Sequence, residues 1–203
     1  VLKEPPNKKI DAVIRNTIGS NNQYTNFTSI GGKKNKFSFY AFYNHKRGDG
    51  FRNNSNYKSN NVYVHLKKNL SNKSELSGEV TYMNYLAKQA GGLSDRMFIN
   101  NPMQSNRSRN WFELDWLLYN FKFKHRFNEK TNLSFSLFGL DAERNTVGFR
   151  TNRVDQVDPL TERDLIRGNF NNHGIELKIL RKYKINEKKG HLFLEENIIG
   201  QNH

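Results

Sequence analysis

The sequence predicts an all-β fold, an antiparallel up-and-down meander of about nine strands. Three observations predict it. Hydrophobic residues recur with period two through runs of about nine to thirteen residues, which is how a strand with one apolar and one wet face reads. Those runs are joined by two kinds of connection: short Asn-, Lys- and Gly-rich turns at residues 32–35, 70–74, 128–132 and 186–190, and long Gly-, Asn- and Arg-rich loops at 46–57, 88–110 and 145–172. Finally, 35% hydrophobic residues and a mean hydropathy of −0.88 are too sparse for an ordinary packed core, yet 13% aromatics in ordered alternation do not belong to a disordered chain. A wall that is apolar on one side and wet on the other satisfies both.

Taken in order, residues 9–17 form the first expected strand, and Gly19-Ser20-Asn21 turns the chain into a second at 23–30. Residues 36–45 place Phe37, Phe39, Ala41 and Tyr43 in one row and Tyr40 and Phe42 in the other. In 58–68, Val62, Val64 and Leu66 oppose Tyr63, His65 and Lys67; in 75–86, Leu76, Gly78, Val80 and Tyr82 oppose Ser77, Glu79 and Thr81. Residues 111–127 set Leu117, Tyr119, Phe121 and Phe123 against Asn120, Lys122 and Lys124. Upstream of them the apolar phase is even-numbered (Phe112, Leu114, Trp116), so a β-bulge is expected near Leu117. Leu133, Phe135 and Leu137, then Ile175, Leu177 and Ile179, mark the next two strands, and residues 191–199 begin a ninth. These lengths match the roughly 9–11 residues that a tilted strand needs to cross a bilayer. Trp111, Trp116, Tyr82 and Tyr85 fall near strand ends, where an interfacial aromatic girdle is expected.

At 203 residues the chain fits one domain. It has no Cys, which removes disulfides and thiolate ligands, and its longest uncharged stretch, 16–32, is mostly Asn, Thr, Ser and Gly, so no helical membrane span is expected. Residues 1–6 are too short for a signal peptide. The net charge of +14 fits general solubility, loops facing an anionic surface, or an anionic partner, and Lys and Arg are spread over every strand and turn, which speaks against nucleic acid. A soluble, basic β-protein that binds nucleic acid is the reading from another class. An open nine-stranded sheet cannot sit in lipid with unpaired edges, and bacterial single-chain barrels have even strand numbers, so the sequence is expected to be a fragment.

No catalytic constellation is present: the six His are scattered, Gly48-Asp49-Gly50 lacks the remainder of either phosphate-binding fingerprint, and Asp155 with Asp158 is too small a set for a cation site. The chain is expected not to be an enzyme and to need no cofactor or metal. The long loops instead hold arginines, whose forks suit carboxylate or phosphate oxygens; the alternative is that they pair with loop acids and shape the loops. Arg52, Gln104, Arg107 and Arg109 are the candidate contacts for an anionic ligand, with Trp111 as a packing wall. Ser77, Glu79, Lys122 and Lys124 are the candidate lumen-lining residues.

GDGFRNNS (48–55), NYLAKQAGGLSD (84–95), NPMQSNRSRNWF (101–112) and RDLIRGNFNNHGIE (163–176) together resemble the TonB-dependent outer-membrane receptors, especially those of the ferric-dicitrate type. The resemblance implies that residues 1–203 are the N-terminal part of a large transmembrane β-barrel of about 22 strands around a plugged lumen, with the plug domain and later strands absent. Residues 1–6 then resemble the exit from the plug. It further implies location in the outer membrane of a Gram-negative bacterium, contact with outer-membrane lipids, capture of a ferric chelate (ferric dicitrate or a siderophore) and coupling to the TonB complex through the missing N-terminal region. Uptake of a glycan, peptide or cobalamin on the same fold is the alternative cargo.

Overall fold

The computed structural model describes residues 9–149, 151, 153–185 and 188–202. The expected exit segment at 1–6, Arg150 of the third long loop and part of the turn at 186–190 lie outside the described residues.

Nine strands form one sheet in which each pairs antiparallel with the next in sequence: β1 (Asp11–Ile18), β2 (Tyr24–Lys34), β3 (Phe37–Gly48), β4 (Tyr57–Asn69), β5 (Ser74–Lys88), β6 (Trp111–Arg126), β7 (Thr131–Val147), β8 (Leu165–Ile185) and β9 (Lys188–Asn202). The short turns close tightly. Asn35 takes φ 55° between β2 and β3, a left-handed position that Asn tolerates, and Leu70 N and Phe127 N bond Ser74 O and Thr131 O across the next two turns of this kind. One short helix, α1 (Asp95–Asn100), interrupts the long loop between β5 and β6.

The register sorts every strand into two faces. On one lie Ile14, Ile30, Phe37, Val62, Leu66, Leu76, Phe121, Phe135, Leu137, Ile175 and Leu177, all among the exposed large hydrophobics; Phe121 is 49% exposed. On the other lie the buried strand residues Ser29, Ser38, Tyr40, Tyr63 and Ser136. Crowding of that face marks it as the concave, inward side. There Phe42 stacks on Tyr63 at 5.4 Å and meets Phe27 at 5.5 Å. An apolar surface turned outward over eight strands has no water-compatible use, because monomeric soluble proteins rarely expose large contiguous apolar patches.

Three expectations are corrected. β6 pairs one-to-one with both β5 and β7 along its whole length, so the phase change at Leu117 is not a bulge. Instead the two faces exchange polarity. The outward face runs from Glu113 and Asp115 to Leu117 and Phe121, while the inward face runs from Phe112, Leu114 and Trp116 to Asn120, Lys122 and Lys124. The loop-end third of the strand is thus wet on its outside. For the same reason the connection expected over 145–172 contracts to 148–164: Leu165 to Asn172 pair with β7 although neither face alternates cleanly. Of the four girdle aromatics, Tyr82 and Trp111 take the outward face. Tyr85 and Trp116 take the inward one, where the Tyr85 ring meets Phe112 at 6.3 Å.

Candidate functional site

The three long loops gather at one end of the sheet and are tied together by side chains that reach for backbone carbonyls. Arg52 spreads its fork over three of them, Nη1 to Gly91 O at 2.6 Å, Nε to Gln104 O at 3.0 Å and Nη2 to Ala90 O at 3.3 Å. Asn54 Nδ2 donates to Arg107 O, Gln89 O and Asn110 O, and Asn53 N bonds Met103 O at 2.9 Å. Two glycines make this approach feasible. Gly50 has φ 73° and a Cβ there would strike Ser55; Gly91 has φ 78° and its Cβ would lie 2.5 Å from Arg107 Cγ. The GDGFRNNS, AGG and NPMQSNR segments are therefore one hydrogen-bonded assembly, which gives their joint occurrence a physical reason. Ser94 caps α1 by accepting from Met97 N at 3.4 Å, and Gln104 Nε2 closes its other end on Met97 O at 2.6 Å and Asn101 O at 3.0 Å.

Arg107, 5% exposed, donates to Gln156 O at 3.0 Å and to Thr151 Oγ1 at 3.0 Å, and its guanidinium lies 5.1 Å from the Phe149 ring centroid. Arg109 bonds Thr161 O at 2.9 Å and Asp158 Oδ1 at 3.0 Å. Arg163 joins the same Asp158 oxygen and lies 4.5 Å from the Phe149 centroid. Asp158 is the hub of this second assembly. Burial pushes its carboxyl up, but the Leu160 N–H and the two guanidiniums outweigh that and hold it below the usual Asp range.

The structure thus brings Arg52, Gln104, Arg107 and Arg109 together at the loop end, each engaged with loop backbone, while Trp111 sits on the outward face at the start of β6. Asn54, Phe149, Asp158 and Arg163 carry the assembly with them; of these the sequence pointed to Asp158 alone, as half of an insufficient cation site with Asp155. Only the density of Asn and Arg in these loops signalled the others.

Ser77, Glu79, Lys122 and Lys124 share the inward face. Glu79 accepts from Tyr63 Oη at 2.9 Å and Asn120 Nδ2 at 3.1 Å, and with Lys122, Ser136 and Glu176 it lines a cavity of about 550 Å³. Lys124 lies 3.5 Å from Glu75, which Lys67 also engages at 2.8 Å; Ser77 faces Lys67 and Lys122 across the ladder. Among the described residues no three His, Cys, Asp or Glu side chains converge as a metal site.

No family model and no curated protein matches the sequence. Solved structures do. The unliganded ferric citrate transporter FecA superposes with a TM-score of 0.76 at 16% identity, over 94% of this chain and 28% of that one. The ferripyoverdine receptor of the Pseudomonas aeruginosa outer membrane, bound to ferripyoverdine, gives 0.73 at 10% identity, over 97% and 28%. The FpvAI–pyocin S2 complex gives 0.74 at 12% identity, over 97% and 27%. At these identities the likeness establishes the fold, a nine-stranded antiparallel meander matching the β-barrel portion of TonB-dependent outer-membrane receptors. The chain spans little more than a quarter of the length of each, 27–28%.

Proposed function

We propose that this chain is part of the barrel of a TonB-dependent outer-membrane receptor that imports a ferric chelate. The observation that carries the reading is the inverted sheet, whose apolar residues face outward while Glu79, Lys122 and Lys124 face inward. A barrel in lipid needs that arrangement and a soluble sheet does not. The two assigned ends follow. Short turns at one end suit the periplasmic side, and the long braced loops suit the extracellular side, where cargo is met.

On this reading Ser77, Glu79, Lys122 and Lys124 line the lumen against a plug domain. The energy for passage comes through TonB acting on a region N-terminal to this segment. Arg52, Gln104, Arg107 and Arg109 serve capture by shaping the vestibule, and Arg109, the most exposed of the loop arginines on Asp158, is the one placed to meet an anionic cargo directly. Ferric citrate and ferripyoverdine, the cargoes of the similar structures, are the first chelates to test. The chelate is carried unchanged, so no catalytic residue is assigned.

The test uses the intact protein in its own cell. Deletion of the gene is expected to abolish growth on one defined ferric chelate and spare growth on free iron, with the protein sedimenting in the outer-membrane fraction. Recovery in the soluble fraction overturns the reading.

A further inference from the structure

We infer that Arg109, Asp158 and Arg163 form a self-occupied oxyanion site, in which the Asp158 carboxylate holds a place that an incoming carboxylate or phosphate group takes at Arg109. The inference rests on the reading that the loop end meets cargo, and it adds the device by which cargo moves a loop.

The cluster is unevenly satisfied. Asp158 Oδ1 accepts from Arg109 Nη2, Arg163 Nη2 and Leu160 N, whereas Oδ2 has no partner among the described residues, although the side chain is only 6% exposed. The Nε atoms of Arg109 and Arg163 are likewise buried without a partner. Two guanidiniums converging on one carboxylate oxygen cannot both form the parallel two-bond pair that makes arginine–carboxylate contacts strong. Arg107 adds a third guanidinium against the face of the same Phe149 that Arg163 covers. A partly buried set with more guanidinium than carboxylate, and with donors left open, attracts an anion.

Accessibility assigns the roles. Arg163 is 15% exposed and stays on Asp158; Arg109 is 36% exposed and borders solvent. Arg109 also donates to Leu160 O at 3.4 Å and Thr161 O at 2.9 Å, so it fastens the loop at 148–164 to the loop at 88–110. Leu160 is held there at φ 58°, a conformation costly for a leucine. When Arg109 turns to an oxyanion, its bonds to this strained segment are given up together, and residues 158–161 are released while Arg107 still holds Thr151 and Gln156. Recognition of an anion and movement of the loop are then one event.

The experiment uses the full-length protein in detergent, with iron-free sodium sulfate and sodium citrate as probes, titrated calorimetrically. Amide exchange at residues 158–161 reports the released segment. Asp158→Asn removes the competing unit charge and is expected to bind sulfate about tenfold more tightly than the parent. Its segment at 158–161 is expected to exchange severalfold faster without any anion. Arg109→Gln is expected to lose anion binding while residues 158–161 also exchange faster. Heat-dependent gel mobility establishes that each variant barrel is folded. Sulfate affinity of folded Asp158→Asn within twofold of the parent, or weaker, overturns the proposal. If that variant does not fold, undiminished anion binding by Arg109→Gln overturns it on its own. A protein that binds sulfate as expected but fails to sediment with outer membranes leaves the latch standing and removes the receptor reading; the reverse outcome removes the latch alone.

Discussion

Arg52 shows how a charge can be spent on architecture. Its donors end on three carbonyls from two stretches of the neighbouring loop, so a lysine, with one compact head group, cannot replace the fork. Hydrogen bonds from a charged group contribute about 1.5–3 kcal/mol each in net terms, and two of the three depend on the fork's geometry. Arg52→Lys is therefore expected to loosen residues 88–110 by about 3–6 kcal/mol. Amide exchange in that loop should quicken while the melting of the barrel stays put; a lowered barrel melting temperature with an unchanged loop contradicts this assignment. Asp158 provides the second residue-scale prediction. Because its folded pKa is depressed, its contribution is fully present above the ordinary Asp value of about 3.9 and is lost as pH falls through the lower folded value. Exchange of residues 148–164, corrected for its intrinsic pH dependence, should stay flat from pH 7 to about 4 and rise below that. A rise already complete near pH 6 would point to a different group.

At the scale of the element, the strands were legible because an apolar face backed by a wet one enforces strict alternation, as in Val62, Val64 and Leu66 of β4. Where that enforcement stops, the reading failed. The loop-end portions of β7 and β8, with Asp141, Glu143, Asn169 and Asn171 on the outward face, are wet on that side, and nothing in their period distinguishes them from loop. The presumed bulge in β6 has the same origin: a change of surroundings along a regular strand imitates a change of register. The loop site was half legible. Residue types announced that Arg and Asn mattered there, but whether a guanidinium faces solvent or a carbonyl depends on contacts about fifty residues away in sequence, such as Arg52 with Gln104. The faces of β6 also make a paired prediction. Phe121→Arg puts a charge on the outward face near the middle of the strand and is expected to cost about 2–4 kcal/mol of barrel stability, whereas Asn120→Arg, one residue away and inward, is expected to cost little. Equal losses in urea unfolding from lipid vesicles would mean that the faces are assigned wrongly.

For the whole molecule, the register traces a polar row across the outward face. Asn16, Asn26, His45, Asn60, Asn84, Asp115, Glu143 and Asn169 are successive cross-strand partners, so one polar residue on each of eight strands forms a continuous outward row. Tyrosines from the neighbouring positions reach into it: Tyr24 Oη donates to Asn16 at 3.2 Å, Tyr43 Oη to Asn60 at 2.9 Å and Tyr82 Oη to Asp115 at 3.0 Å. An amphipathic ring with its hydroxyl in a polar band and its body toward an apolar one is the arrangement of a membrane interface. On the proposed barrel reading, such a row cannot lie level with the membrane. It runs perpendicular to strands that tilt by roughly 35–45° in outer-membrane barrels, so crossing two strand spacings lifts it by about 6 Å. The residues record that climb. Tyr82 on β5, Leu117 on β6 and Asp141 on β7 occupy one row, yet the first two belong to the apolar wall and the third accepts a bond from Asn171 at 2.5 Å. Spin labels on cysteines placed at 82, 84, 137 and 141 of the full-length protein in lipid should therefore divide by depth and not by row. Positions 82 and 137 are expected to be accessible to dissolved oxygen, and 84 and 141 to a water-soluble nickel complex. A label at 141 as shielded from nickel as one at 82 would mean that the rows lie flat and that the sheet is not tilted as a barrel wall must be.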